Sequence, residues 1–402
     1  MANPIKLSDR VLAVKPSLTL GIAAKAKAMR AQGLDVISLS AGEPDFDTPQ
    51  FIKDSAIQAL QKGVTKYTPE TGTPEIKQAV MRKFKRDQGL TFEPEQVVVG
   101  CGAKHVIFNV FYALLNPGDE VIIPSPFWLS YPEMAILCGG KSVLVETTEA
   151  TGFKMTPAML EKAITPQSKL LILNSPSNPT GAVYSETELR ALIPVLKKNP
   201  HVQILSDEIY EKLVFGGIKA VSIASLDSEI AARTIVVNGH SKAYAMTGWR
   251  LGYAGIPDKA LAKAVASFQS HSTSNPNSFA QAGGITALDL GDAEAKKMCA
   301  VYEKRRDLFI NLLKAIPSLK PFRPEGAFYL FINITETGMT GLQLADLLLE
   351  KAHLAVVPGE PFGSSKHIRV SYATSEKDIE EAVRRMALHI LPLRQSATGT
   401  RA

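Results

Sequence analysis

The sequence predicts an α/β protein, with a mostly parallel central sheet, helices on both of its faces, and a smaller α+β domain beside it. Three observations carry this. Short β-rich runs recur at 97–99, 120–123, 142–146, 170–173, 202–205, 234–237 and 251–256, most of them near-continuously apolar. Most are separated by amphipathic stretches long enough for a crossover helix, the pattern of parallel strands buried on both faces. From about Glu294 the order changes to a long charged helix, an alternating strand, another helix and two further strand-like runs. A chain of 402 residues also exceeds what one hydrophobic core holds. The expected division is an N-terminal arm and helix, 1–45, joining the small domain; a large domain, 46–293; and a small C-terminal domain, 294–402.

Taken in order, residues 22–31 are rich in alanine and lysine and read as a helix ending near Gln32-Gly33. The turn Ser40-Ala41-Gly42-Glu43-Pro44-Asp45-Phe46 follows, then a helix over 49–62 and a second turn, Lys66-Tyr67-Thr68-Pro69. Gly100-Cys101-Gly102-Ala103-Lys104 closes the first β-run and opens a helix, whose free N–H groups and dipole favour an anion. It lacks the third glycine of the dinucleotide fingerprint. Trp128, after Pro126-Phe127, fits either a core position or a stacking platform for a flat ring. The stretch 174–181, NSPSNPTG, is a stiff turn with Asn178 at its head. Asp207 ends another apolar run, either as a helix cap or as a buried carboxylate that needs a partner, and Tyr210 stands three residues on.

The stretch VVNGHSKAYAMTGWRLG, 236–252, organises the rest. A buried strand gives way to a turn carrying Lys242, and Arg250 follows eight positions later. Read alone, Lys242 is either a solvated surface cation or an amine desolvated in a cleft, where a lowered pKa frees its lone pair. Arg369 lies in an alternating strand, pointing either outward to water or inward to an anion.

Composition is that of an ordinary globular protein, 45% hydrophobic and 21% charged, so no disordered or fibrous class applies. The net charge of +6 is scattered, and the densest basic runs, 82–86 and 304–306, read as solvated helix faces rather than nucleic-acid sites. Three unevenly spaced cysteines make neither a disulfide framework nor a metal site and point to a reducing compartment. The N-terminus has no apolar leader segment, and no run approaches the ~20 apolar residues of a membrane span. A cytoplasmic protein is expected, without membrane or nucleic-acid partners and with a frayed tail over 395–402.

These motifs, in this order, closely resemble the class I aminotransferases that use pyridoxal phosphate (PLP), specifically the prokaryote-type aspartate branch. The resemblance runs from about Ser17 to Ala387. It implies that Lys242 bonds covalently to the cofactor aldehyde and shuttles protons in a ping-pong exchange between amino acids and 2-oxo acids. It also implies a phosphate site from Gly102, Ala103, Lys104, Ser241 and Arg250, a ring stacked on Trp128, and a ring nitrogen held by Asp207. Asn178 and Tyr210 would meet the ring oxygen. Tyr67, otherwise a packing tyrosine, would reach the phosphate of a second subunit, so that the site is complete in a homodimer. Gly42 would lie against the substrate, and Arg369 would fork onto its α-carboxylate.

For substrate choice, the resemblance sets two patterns apart. Animal-type aspartate enzymes take an arginine for the distal carboxylate from the region after the cofactor lysine, yet no arginine stands between Arg250 and Arg305. The prokaryote-type pattern has a lysine at the position of Lys104 and a threonine at that of Thr19, which accompany aspartate and, in some members, prephenate. Aspartate with 2-oxoglutarate is therefore expected, with prephenate as a further acceptor. The alternatives are an aromatic-, alanine- or methionine-directed transaminase, or a lyase of the same fold. A ligand-sensing domain fused to a DNA-binding segment has little room in the 45 residues before the large domain.

Overall fold

The computed structural model describes residues 5–16 and 18–398, with side chains described as far as residue 392. Ser17, where the resemblance begins, and the end of the tail lie outside the described residues, and the last helix is described to Thr398.

Seven strands form the larger sheet: β1 (Val97–Gly100), β2 (Glu120–Ser125), β3 (Lys141–Glu146), β4 (Ser168–Asn174), β5 (Gln203–Asp207), β6 (Thr234–Gly239) and β7 (Gly252–Gly255). Their order is β1-β7-β6-β5-β4-β2-β3, and all pairings are parallel except those of β7, which runs against both β1 and β6. The apolar runs of the inner strands are continuous because each of them serves two cores, whereas the edge strand β3 leaves Leu144 exposed. Val98, Ile172, Leu205 and Val237 pack with Val106, Val110 and Phe111 of helix Ala103–Leu114 on one face. Val97, Val99 and Val236 pack with Ile76 and Val80 of helix Pro74–Gln88 on the other, where Leu171, Leu173 and Ile204 meet Leu189, Leu192 and Leu196 of helix Glu186–Lys198. Alternate side chains of one strand thus reach opposite layers of helices, as the two-residue strand period requires.

The second sheet is antiparallel, with β8 (Lys320–Pro321), β9 (Tyr329–Asn333), β10 (Val357–Pro358) and β11 (His367–Ser371) in the order β10-β11-β9-β8. Leu330, Ile332, Ile368 and Val370 face the helices Asp292–Leu313, Gly341–Ala352 and Glu376–Thr398 through Phe309, Leu348 and Val383. The alternation sends Phe331 and Arg369 to the opposite face. The N-terminal helix Leu18–Ala31 packs Ala26 against Leu349 and Ala355, and Ile37–Ser38 pairs in parallel with Leu354–Ala355.

The basic runs correct the expectation of solvated faces. Arg82 is exposed and pairs with Asp289, but Lys83 is buried on a 2.5 Å ion pair to Glu211. Arg306 is buried as well, donating to the Pro324 carbonyl and stacking on Phe215. Both cations face inward because a carboxylate or carbonyl from a distant segment meets them there. Among the described residues no helix is long and apolar enough to cross a membrane.

Candidate active site

A cavity of about 570 Å³ opens at the carboxyl edge of the larger sheet, where parallel sheets place their ligands. Its lining comes from β-strand ends on one side and from the N-terminal helix, the 40–43 turn and the smaller sheet on the other. The sheet order explains the convergence. β1 delivers Ala103 and Lys104, β2 delivers Trp128, β4 the turn holding Asn178, β5 Asp207 and Tyr210, and β6 Ser241 and Lys242. Because β7 begins where β6 ends, Arg250 returns to the same edge.

One end of the cavity is an anion cradle. Gly102 (φ 94°), in a conformation that residues with a Cβ rarely adopt, caps the helix Ala103–Leu114, and a Cβ there would lie 2.6 Å from Arg250 Nη2 and push the guanidinium from the helix N-terminus. Across from it, a Cβ on Gly252 would lie 2.0 Å from the Ala103 backbone nitrogen. Arg250 is itself left-handed at φ 54° and is held by the Thr247 carbonyl at 2.8 Å. Free N–H groups, a helix dipole and a guanidinium together suit a phosphate.

The middle is shaped for a flat polar ring. Trp128 forms one wall, with the Lys104 amine 5.0 Å from its ring centre. Burial, and then Arg250, hold the Lys104 amine below its ordinary pKa. Asp207 is buried; its Oδ2 accepts from the Tyr131 hydroxyl at 2.6 Å and its Oδ1 accepts from the Ile209 N–H at 3.2 Å. Burial pushes its carboxyl up to about 6, opposed by those two donors and by Lys242, so it remains an anion at neutral pH. The Tyr210 hydroxyl bonds that of Tyr329 at 2.9 Å, and burial raises its pKa far enough that it stays protonated.

Lys242 is half-buried and lines the cavity. Its amine donates to the Gly42 carbonyl and lies 5.9 Å from the Tyr210 ring centre and 5.8 Å from that of Phe328. Burial lowers its pKa to about 8; Arg369, Arg250 and Lys104 push the same way, against Glu43. Such an amine is neutral part of the time and can attack a carbonyl carbon.

The far wall is cationic. Arg369 is buried, stacked over Tyr329 at 4.3 Å and Phe362 at 4.9 Å, and donates to Asn178 Oδ1 (2.9 Å) and the Ser40 carbonyl (3.1 Å). Among the described residues its Nε, although buried, has no hydrogen-bond partner, and the same holds for the Thr19 hydroxyl in the same cavity.

Sequence reasoning had singled out twelve of the residues that line this cavity. Gly102 supports the cradle from behind, and Tyr67 stands apart from the cavity, 90% exposed. Among the lining residues it passed over, Tyr131, Tyr329 and Glu43 make contacts with residues far along the chain, and only Glu43, inside the 40–46 turn, carried any local signal. Among the described residues no group of three or more His, Cys, Asp or Glu is placed to hold a metal ion.

Comparison with known proteins agrees with this geometry. Residues 34–386 match the family model described as aminotransferase class I and II. The chain is 49% identical to an aspartate aminotransferase of Geobacillus stearothermophilus, over 95% of this chain and 98% of that one. It is 44% identical to an aspartate/prephenate aminotransferase of Nitrosomonas europaea, over 95% and 99% respectively. Among solved structures, Thermus thermophilus aspartate aminotransferase with maleate superposes with a TM-score of 0.91 at 44% identity, covering 96% of this chain and 100% of the other. The fold is therefore that of these enzymes, and the chain belongs to the class I and II aminotransferase family.

Proposed function

We propose that the protein is a PLP-dependent aspartate aminotransferase, reversibly transferring the amino group of L-aspartate to 2-oxoglutarate to give oxaloacetate and L-glutamate. The observation that carries this reading is a single cavity holding an amine of lowered pKa, an anion cradle and two further cations, Lys104 and Arg369. The close relatives' names point the same way.

The residues present fit the cofactor. The cradle that a Cβ at Gly102 would fill suits its phosphate, with Ala103, Lys104, Ser241 and Arg250 as further contacts. Trp128 would cover the ring face, Asp207 would meet the ring nitrogen, Asn178 and Tyr210 the ring oxygen, and Lys242 the aldehyde. When bound, the cofactor supplies an aldehyde carbon that holds amines covalently and a ring that accepts the electron pair released at the substrate Cα. In this reading Lys242 would take the Cα proton, and its lowered pKa matches it to that work near neutral pH. Asp207 keeps a proton on the ring nitrogen. Arg369 holds the α-carboxylate through its partnerless Nε and fork, Gly42 allows the substrate close to the main chain, and Lys104 with Thr19 takes the distal carboxylate. The functional unit in this reading is a cytoplasmic homodimer in which Tyr67 of one copy completes the phosphate site of the other, and each copy divides into 1–45, 46–293 and 294–402.

A steady-state panel of L-aspartate, L-glutamate, L-alanine and L-phenylalanine against 2-oxoglutarate, oxaloacetate and prephenate tests this. The expected result is a kcat/KM for aspartate exceeding that for alanine or phenylalanine by about tenfold or more, the discrimination that one charge pair supports; the reverse order refutes it. Prephenate, itself a dicarboxylate, is the second acceptor to examine, favoured by the name of the Nitrosomonas relative.

A further inference from the structure

We propose that Tyr131 is a positioning residue for the reaction: its hydroxyl keeps the Asp207 carboxylate ionised and aimed, so that a bound ring nitrogen holds its proton. This rests on the reading of Asp207 as the partner of that nitrogen.

Asp207 has few means to remain an anion in its place. It is 4% exposed, and the one cation that steadies its charge, the Lys242 amine, acts on it less than its two hydrogen-bond donors do. Its hydrogen-bond donors are the Ile209 N–H at 3.2 Å and the Tyr131 hydroxyl at 2.6 Å. The shorter bond, from a hydroxyl to a charged oxygen, is of the stronger kind. Tyr131 is built to give it. The residue is 1% exposed, sits in the first turn of helix Ser130–Leu137, and is anchored there by its own N–H to the Trp128 carbonyl at 3.0 Å. Burial, with Asp207 itself next, keeps its phenol protonated and therefore a donor. Its ring meets Trp128 edge-on at 5.1 Å and 82°. One side chain thus braces both the wall that would cover the ring and the carboxylate that would meet its nitrogen. Without the hydroxyl, the buried carboxylate gains by binding a proton. The donor of that proton is the ring nitrogen: one N–H bond breaks, one O–H bond forms, and the nitrogen becomes neutral.

The test loads the full-length protein with PLP carrying a ¹⁵N-labelled ring and reads the nitrogen by NMR, beside steady-state kinetics with aspartate. Wild type is expected at the protonated position. Tyr131→Phe keeps the edge contact with Trp128 and removes the donor; it should move the signal toward the unprotonated position and lower kcat by about ten- to a hundredfold, the range for a hydrogen bond to a charged group. KM for aspartate should change far less. Tyr131→His, which restores an N–H donor, should recover the protonated position. A Tyr131→Phe variant with the wild-type signal and kcat overturns the proposal. So does a Tyr131→His variant with an unprotonated nitrogen, which decides the matter if the phenylalanine variant does not fold. An unprotonated nitrogen in the wild type would instead overturn the assignment of Asp207 and take this inference with it, whereas a normal wild type with an unresponsive variant removes the inference alone.

Discussion

The two walls of the cavity differ in how far their hydrogen bonds are already satisfied. On the wall built by the larger sheet, Asp207 has a donor on each oxygen and Tyr210 is paired with Tyr329. On the facing wall, the Arg369 Nε and the Thr19 hydroxyl are buried with no partner among the described residues. A satisfied wall is rigid, and a wall with unmet donors favours whatever brings acceptors to it, because a buried polar group without a partner costs about 1–3 kcal/mol. The first suits a permanently held group and the second a substrate that comes and goes.

The largest expected effect breaks the satisfied wall. Lys242→Ala should remove covalent attachment of PLP, seen as loss of the borohydride-fixed mass adduct, and lower turnover by at least the 10²–10⁴-fold typical of a positioned proton-transfer group. Retention of both would end the functional reading. Next comes the unsatisfied wall. Arg369→Lys keeps the charge and loses the fork, and should lower kcat/KM for aspartate by roughly 30-fold or more, since breaking a buried charged pair costs about 2–5 kcal/mol. Equal losses for aspartate and alanine would place Arg369 on the carboxylate that all amino acids share.

Lys104→Ser sharpens the contrast further. Lys104 is open to solvent at the cavity mouth although its amine is partly buried, so its contribution is partly screened; kcat/KM for aspartate should fall by about tenfold and that for alanine by less, because the phosphate contact is common to both substrates. An unchanged value for aspartate would move the distal-carboxylate contact elsewhere. The smallest effect is one of pH. In the cofactor-free protein, reductive alkylation of Lys242, followed by mass spectrometry, should rise as the pH passes through about 8 and level off above it. The sign follows from the lowered pKa, because the reactive neutral amine appears at a lower pH than in an ordinary lysine, whose rise would be centred near 10.4.

How much of this was legible in the sequence depends on how local the cause is. The strands of the larger sheet were visible because burial on both faces leaves continuous apolar runs, and Arg369 could be placed on an alternating strand though not on a face. Ile368 and Val370 had to be packed on the helices before its direction was fixed. The resemblance supplied Thr19 and Lys104, which no periodicity singles out. Tyr131 was not legible, because its reason for being there is a carboxylate 76 residues away. Lys83 was misread for the same cause: its partner Glu211 lies on the turn just past Asp207, and a run of basic residues on one helix does not reveal which of them faces inward.

The reversed direction of β7 has a consequence for motion. Lys242 and Arg250 are carried by one connection, His240 to Leu251, between antiparallel neighbours, so their separation is set locally and does not depend on how the smaller sheet sits. Arg369, by contrast, rides on that smaller sheet. If the two sheets rock relative to each other, the lysine and the anion cradle keep a common frame of reference, and only the grip on the incoming amino acid changes.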